Sequence, residues 1–529
     1  MTPARTCLLG GAFAILTALG LLIFPGHTFL LSDTQIYLPL LEHLRNPALL
    51  PNELILKGAH LSFTIYDEVT LSISRLTGIS LEHSLLAQQF FFRWLGMWGA
   101  FWLATSIGLS HGAAVLTGAA LWLGAFVYGP AVITTEFEPV PRGFAVPLIV
   151  AALGALAQHW PNRAALFIAL AFLYHAPAVW PILVVAIIAR HWRPLAWTAG
   201  AAALLTIFAS LQQGAIASQP FFSLIDPTHR VIMKLRAPYN WISLWPLRHI
   251  LQFLITAPLA WLALRRIEDL LAPATRPYFR WMPLIGLLTM PASWLLLEHY
   301  GWALLPQLQP MRALLYCHLF CQWLGLLAAW RELQDGAPFR AFLWLIVPFS
   351  LALQGDLLLI GPAHAILLAL IAAAIFIATR FPRREYAWAT SFTLALLLGV
   401  AFEARAYKPV ETPALTALSS WATTNTPVPA VFFFPDLGRR PEPGIFRARA
   451  ARSVYVCWKQ GGQVNYFPTY AFTWFERWSH LLAPKHPPLD YDDLRRRGIT
   501  HLVFTTDTPA EPLPELFSNG AYRVYQLAR

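Results

Sequence analysis

The stretch RAALFIALAFLYHAPAVWPILVVAIIAR, residues 163–190, decides how the chain is threaded. It is apolar between its flanking arginines, but Tyr174-His175-Ala176-Pro177 interrupts it. A proline inside a helix removes a hydrogen bond and clashes with the preceding turn. The stretch therefore reads either as one kinked span or as two half-helices returning to the same side of a membrane. The surrounding arginines arbitrate. With a returning hairpin, Arg5, Arg163, Arg190, Arg193, Arg265, Arg266, Arg276, Arg280, Arg331, Arg340, Arg380, Arg383 and Arg384 all share one side. A single crossing sends Arg265, Arg266 and the 380–384 group to the other. Cytoplasmic loops carry the excess of Lys and Arg, so the hairpin is expected, with the N-terminus cytoplasmic.

The membrane itself follows from composition. Of 529 residues, 57% are hydrophobic and 12% charged, and the mean hydropathy is +0.52. A soluble domain carries roughly 25% charged residues. Burial saturates with size, so a soluble chain could not hide this much apolar surface. Many windows of about 20 residues lack any charge, the length that spans a bilayer core. The net charge of +11 is then a topology signal, and no nucleic-acid partner is expected. The 22 tryptophans suit interfacial belts. Cys7, Cys317 and Cys321 lie in apolar segments, and Cys457 stands alone in the polar C-terminal part, so no metal-type or disulfide pattern appears.

Outward from 163–190, the first apolar run, Cys7 to Pro25, lacks a small-residue cleavage site and reads as a retained span. Further spans are expected at 86–108, 112–133, 143–158, 195–214, 246–264, 281–297, 313–330, 341–354, 364–379 and 386–404. The expected architecture is an all-α polytopic membrane domain over 1–404, with about 11–13 membrane segments. Its outer loops are 26–85, 134–142, 215–245 and 298–312. A small soluble α/β domain follows over 405–529. There, 430–434, 453–456, 499–505 and 522–527 read as strands, and Asp490 to Arg497 as a capped helix. Its Trp458, Trp474, Trp478, Phe472 and Phe475 suit a domain core, or a face for sugars or the membrane surface.

The outer loops hold the residues that can do chemistry. Asp33, in Ser32-Asp33-Thr34, stands just before an amphipathic stretch from Ile36 to Leu44. It can act as a general base toward a hydroxyl, ligate a metal, or simply cap that helix. The second loop packs Glu136, Glu138 and Arg142 between apolar spans. There they are expensive unless partnered, so they form either a site or a structural Glu–Arg pair. The third loop carries Arg230, Lys234 and Arg236, and the fourth ends at Arg312. These cations lie on the wrong side for topology signalling, and a lipid-linked phosphate gives them a purpose. Asp67-Glu68 is a further acidic pair, and Arg93 lies inside a span. No P-loop, nucleophile elbow or H-E-x-x-H occurs.

This arrangement resembles the GT-C integral membrane glycosyltransferases. The likeness rests on the long first loop with its early Asp33, the acidic Glu136-Phe137-Glu138-Pro139 loop, the broken helix at His175–Pro177 and the outer C-terminal domain. Where better-known members often pair acidic residues at the start of the first loop, this chain has Ser32-Asp33-Thr34. The resemblance implies transfer of a sugar from a polyprenyl-phosphate donor to a glycan, lipid or protein acceptor at the outer face of a bacterial-type plasma membrane. Asp33 would be the base or acceptor-positioning carboxylate, and Glu136 or Glu138 would hold a sugar hydroxyl or a metal. Arg142, Arg230, Lys234, Arg236 and Arg312 would hold the donor phosphate. It allows a divalent cation, Mg or Mn, with Asp33 and Glu138 as candidate ligands. A transporter or flippase of a lipid-linked or anionic solute is the alternative, since broken helices and embedded charges also mark transport sites. A non-catalytic scaffold is the third.

Overall fold

The computed structural model describes residues 2–57, 64–211, 222–354, 407–484 and 488–527, with isolated positions between 369 and 405. The helices of the first half are α1 (Pro3–Leu22), α2 (Thr34–Arg45), α3 (Tyr66–Thr77), α4 (Leu81–Ser106) and α5 (His111–Leu121). A two-stranded hairpin follows, β1 (Phe126–Val127) and β2 (Val132–Ile133). Then come α6 (Pro141–Ala157), α7 (Pro161–Ile188), α8 (Trp192–Leu211), α9 (Pro227–Arg236), α10 (Leu247–Ile267), α11 (Arg276–Ser293), α12 (Leu305–Leu308), α13 (Leu315–Gln334) and α14 (Pro338–Gln354). The C-terminal region adds α15 (Pro413–Asn425), β3 (Val431–Phe433), α16 (Glu442–Ala450), β4 (Ser453–Val454), α17 (Pro468–Leu481), α18 (Tyr491–Arg496), β5 (His501–Thr505), β6 (Glu515–Ser518) and β7 (Tyr522–Gln526).

The chain divides into two compact units. The first comprises Met1–His27, Leu86–Gln213 and Tyr239–Tyr407, and the second Thr28–Leu85, Gly214–Pro238 and Lys408–Arg529.

The first unit is helical and apolar. Among the described residues, five helices are long and apolar enough to cross a membrane, the first being α1. The interior helix is α6, every residue of which is buried, as expected of a helix that is apolar all round. It crosses α4 at a pair of glycines. A methyl group on Gly154 would lie 2.1 Å from the Gly99 carbonyl oxygen, and one on Gly99 2.5 Å from the Ala151 backbone. Small residues at the crossing let two backbones approach where lipid supplies no hydrophobic drive between helices.

The span expected over 112–133 is not continuous. Helix α5 stops at Leu121, and Gly124 and Gly129 take φ of +74° and +92°, conformations that end a helix and turn a hairpin. Residues 126–133 form the β1–β2 hairpin, which runs straight into the acidic loop. The expected spans at 364–379 and 386–404 lie largely outside the described residues.

In the deciding stretch, α7 is two half-helices broken at His175, whose φ and ψ are −158° and 84°. Its contacts show the chain's course. Trp160 and Phe167 pack on Trp102 of α4, and Tyr174 on Phe92, nearer the other end of that helix. Past the break, His175 faces Arg312 and Ala178 accepts from the Tyr316 hydroxyl. Residue His191 then meets Tyr278, whose neighbour Phe279 packs on Phe320 and Trp323. The second half thus follows α13 away from Arg312, while the whole of α7 is also one of the five helices long and apolar enough to cross a membrane.

The second unit is α/β. Its sheet has the order β4-β3-β5-β7-β6, parallel across β4, β3 and β5 and antiparallel through β7 and β6. Helix α18 is capped by the Asp490 side chain, which accepts from the Asp492 and Asp493 amides. The core combines Phe433, Leu502, Phe504 and Tyr525 of the sheet with Trp474 and Trp478 of α17. It also contains Leu54 and Ile232, so the segments 28–85 and 214–238 supply part of the hydrophobic interior of this unit.

Candidate functional site

In the second unit, Asp33 immediately precedes α2 but does not cap it by a side-chain hydrogen bond. Its carboxylate is 39% exposed and its Oδ1 accepts from the Lys459 ammonium at 2.8 Å. The same ammonium donates to Ser32 Oγ at 2.8 Å. The start of α2 is held in place by a buried polar network. Arg447 and Glu53 form an ion pair with both side chains sealed from solvent, and the Arg447 guanidinium also donates to the Gln35 carbonyl oxygen at 2.7 Å. Glu53 further accepts from the Val454 amide at 3.0 Å and from the Gln460 side chain. Burial pushes the Arg447 pKa down, but Glu53 first, with Cys457 and Tyr470, more than reverses this, leaving it above its ordinary value.

Helix α9 begins at Asp226, whose side chain accepts from the Thr228 and His229 amides. Asp226 is therefore a cap. His229, Ile232 and Met233 are buried, and His229 Nε2 meets the Val464 carbonyl at 2.8 Å. Arg230 and Lys234 stand one turn apart on the same helix. Arg236 ends it, with Nε donating to the Trp458 carbonyl at 2.9 Å and its guanidinium over the Trp458 ring at 5.0 Å. Arg236 thus bonds the residue next to Lys459, which brings two candidate site residues, Asp33 and Arg236, into one neighbourhood. The tryptophans form the domain core. Trp458 packs on Trp474 and Trp478 at 5.8 and 4.8 Å, and Trp474 is fully buried.

In the first unit, Arg142 closes on Glu136. Nε donates to Oε1 at 2.6 Å, and both side chains are under a tenth exposed. The Glu136 carbonyl oxygen accepts from Arg93 and Gln89, and Arg93 also donates to the Gly26 carbonyl. The acidic loop is therefore clamped by its own arginine and by two side chains of α4. Glu138 is buried beside them in sequence, 3% exposed. Arg312 approaches His175 Nε2 at 3.4 Å and lies over the Tyr239 ring at 5.9 Å. His175 Nδ1 accepts from the Ala178 amide and so caps the second half of α7.

Among the described residues, no three of His, Cys, Asp or Glu form a group that could hold a metal ion. Asp33 faces an ammonium and Glu136 a guanidinium, and a carboxylate already neutralised in this way has little charge to offer a hard cation.

Lys459 and the Glu53–Arg447 pair were not legible as site residues. A lysine in Trp458-Lys459-Gln460-Gly461-Gly462 was the available signal. Glycines beside a cation mark a backbone that must approach something closely.

No family model matches the chain, and no curated protein matches it. Among solved structures it is similar to ArnT from Cupriavidus metallidurans in the apo state, at 13% identity and a TM-score of 0.53, over 99% of this chain and 98% of that one. It is also similar to the arabinofuranosyltransferase AftD from Mycobacteria, at 14% identity and a TM-score of 0.41, over 100% of this chain and 42% of that one. The oligosaccharyltransferase of Archaeoglobus fulgidus, in complex with Zn and sulfate, matches at 14% identity and a TM-score of 0.40, over 94% of this chain and 68% of that one. The likeness to ArnT gives the fold. The chain is an integral membrane protein of GT-C fold, mostly helical, with a small C-terminal sheet region.

Proposed function

We propose that this protein is a membrane glycosyltransferase that moves a sugar from a polyprenyl-phosphate donor to a hydroxyl acceptor. The observation that carries the reading is Asp33, a partly exposed carboxylate that caps no helix by a side-chain hydrogen bond and accepts from Lys459, whose neighbour Trp458 is bonded by Arg236 of α9. In the reaction the acceptor oxygen bonds to the anomeric carbon of the sugar, and the bond from that carbon to the phosphate oxygen breaks with its electron pair on the phosphate. The acceptor proton passes to Asp33. This chemistry needs a base and an anion-stabilising group within one site. The second unit offers both kinds of group, with Arg230, Lys234 and Arg236 as candidates for the phosphate. In the first unit Glu136 and Arg142 fix the acidic loop, Glu138 is the candidate for a sugar hydroxyl, and Arg142 and Arg312 are further phosphate candidates.

The proposed setting is the bacterial inner membrane, with the N-terminus cytoplasmic and the region from 405 onward outside. The positive-inside distribution of arginines supports it. The donor sugar is read by assay. Purified protein in lipid nanodiscs is supplied with a panel of polyprenyl-phosphate sugars, and release of polyprenyl phosphate is followed. Asp33→Asn should lower the rate about 10²–10⁴-fold, the usual cost of losing a general base, with the fold intact. Full transfer by that variant would refute the role of Asp33, and no release from any donor would refute the activity.

A further inference from the structure

Lys459 is delivered to Asp33 by a backbone that has no room to move. The turn from Lys459 to Gln463 is a short 3₁₀ helix. A methyl group on Gly461 would come within 2.6 Å of the Trp474 ring and 2.9 Å of Arg236 Cδ, and one on Gly462 within 2.5 Å of Ile36 Cδ1. Gln460, next to the lysine, is fully buried. Its side chain accepts from the Cys457 amide and donates to Glu53 and to the Val454 carbonyl. Trp458, on the other side, is held by Arg236 below its ring and by Arg439 at 4.4 Å. The backbone is held on both sides of Lys459, and the rotatable bonds that can redirect the ammonium are those of its four-carbon stem.

That ammonium lies outside the sealed network of this corner. The fold at this corner rests on Glu53, Arg447 and Gln460, all sealed from solvent, whereas the Asp33–Lys459 pair is partly in water. An ammonium bonded to a carboxylate that has to accept a proton also works against that carboxylate, since an adjacent cation favours the ionised form and weakens the base. The pair suits a resting site better than a working one.

We propose that Lys459 is a phosphate-binding residue that Asp33 holds in reserve. The ammonium bonds Asp33 and Ser32. When a polyprenyl-phosphate sugar enters, the ammonium turns to the phosphate, which takes one cation away from the carboxylate that accepts the acceptor proton. As the bond from sugar to phosphate oxygen breaks, the phosphate gains a second negative charge. A cation already at that oxygen meets the charge where it develops. This inference rests on the glycosyl-transfer reading of Asp33 and adds to it a cation from the C-terminal region.

The test uses full-length protein in nanodiscs, with polyprenyl phosphate as the binding probe and the matching polyprenol, which lacks the phosphate, as control. Lys459→Met should weaken polyprenyl phosphate binding about tenfold or more, the size of a lost charge-assisted contact, and Lys459→Arg should restore most of it. Asp33→Asn should do the opposite and tighten binding by about three- to tenfold, because the lysine is no longer held by a competing anion. The double variant should bind like Lys459→Met. A pair that only supports the structure would move both single variants in the same direction or neither. Binding by Lys459→Met within about twofold of the native protein, with the native protein binding well, would overturn the assignment of Lys459 alone. Absence of binding by the native protein would overturn the glycosyl-transfer reading and this inference together.

Discussion

Glu136–Arg142 and Asp33–Lys459 are both carboxylate–cation pairs, and they differ in what surrounds them. The first has side chains 7% and 9% exposed, and the backbone of Glu136 is clamped by Arg93 and Gln89. The second has an acid 39% exposed and a lysine 18% exposed. A buried pair has exchanged its hydration for one partner and is expensive to part. A partly exposed pair exchanges its partner for water or a ligand at lower cost. The contrast separates charges that fix a loop from charges that are available to a substrate, and each prediction below tests one side of it.

The largest effect belongs to the available side. Asp33→Asn should cost about 10²–10⁴ in transfer rate while leaving the thermal midpoint nearly unchanged, since the Asp33 side chain caps no helix. The matching substitution on the fixed side should behave in the reverse order. Arg142→Ala leaves the Glu136 carboxylate buried and unpaired, and should cost about 3–5 kcal/mol of stability, read by denaturation in detergent. Joint replacement of both partners by Glu136→Gln and Arg142→Met should recover part of that loss. If Arg142→Ala folds normally and loses only donor binding, Arg142 belongs with the available charges.

The two pairs were not equally readable in advance. Sequence placed Glu136 and Arg142 together because six residues separate them in a short loop between apolar runs, and local spacing is what a sequence displays. It also isolated His175–Pro177 as a break, because proline geometry is local. Lys459 lies 426 residues from Asp33, and nothing in either neighbourhood announces the other. The same holds for Glu53 and Arg447, 394 residues apart. The spans were legible wherever apolar length alone decides them. Over 112–133 the composition stayed apolar while Gly124 and Gly129 turned the chain, and the glycines deserved more weight than the hydropathy. Four of the five C-terminal strands were legible from their β-branched and aromatic runs, and β6 at Glu515–Ser518, an exposed edge strand, was not. That Leu54 and Ile232 complete their core was not, because a tertiary core is assembled from segments distant in the chain.

A second acid of the first loop sharpens the comparison through pH. Asp67, in the first turn of α3, is 6% exposed, and burial, then its hydrogen bond with Glu68 and the Glu68 charge, push its pKa up to about 8. A carboxyl whose pKa is raised on folding contributes stability that is fully present below the unfolded value near 4 and is lost as pH rises through 8. The thermal midpoint of the native protein should therefore fall between pH 5 and 8. Entry of water on deprotonation relaxes part of the penalty, leaving a loss on the order of 1–3 kcal/mol. Asp67→Asn should flatten that slope, and an unchanged slope would mean that Asp67 stays ionised in the folded protein.

The smallest effect is the most telling for the contrast. Lys459→Met removes a cation from its carboxylate just as Arg142→Ala does, but here the carboxylate left behind reaches water. The expected loss of stability is below about 1 kcal/mol, the range of partly exposed ion pairs, and it should shrink further in high salt. The surrounding turn keeps its shape through Gln460, which bonds Glu53 and the backbone independently of the lysine. A loss comparable to that of Arg142→Ala would mean that Lys459 is one of the fixed charges. The ammonium would then have no freedom to leave Asp33, and the two pairs would differ only in exposure.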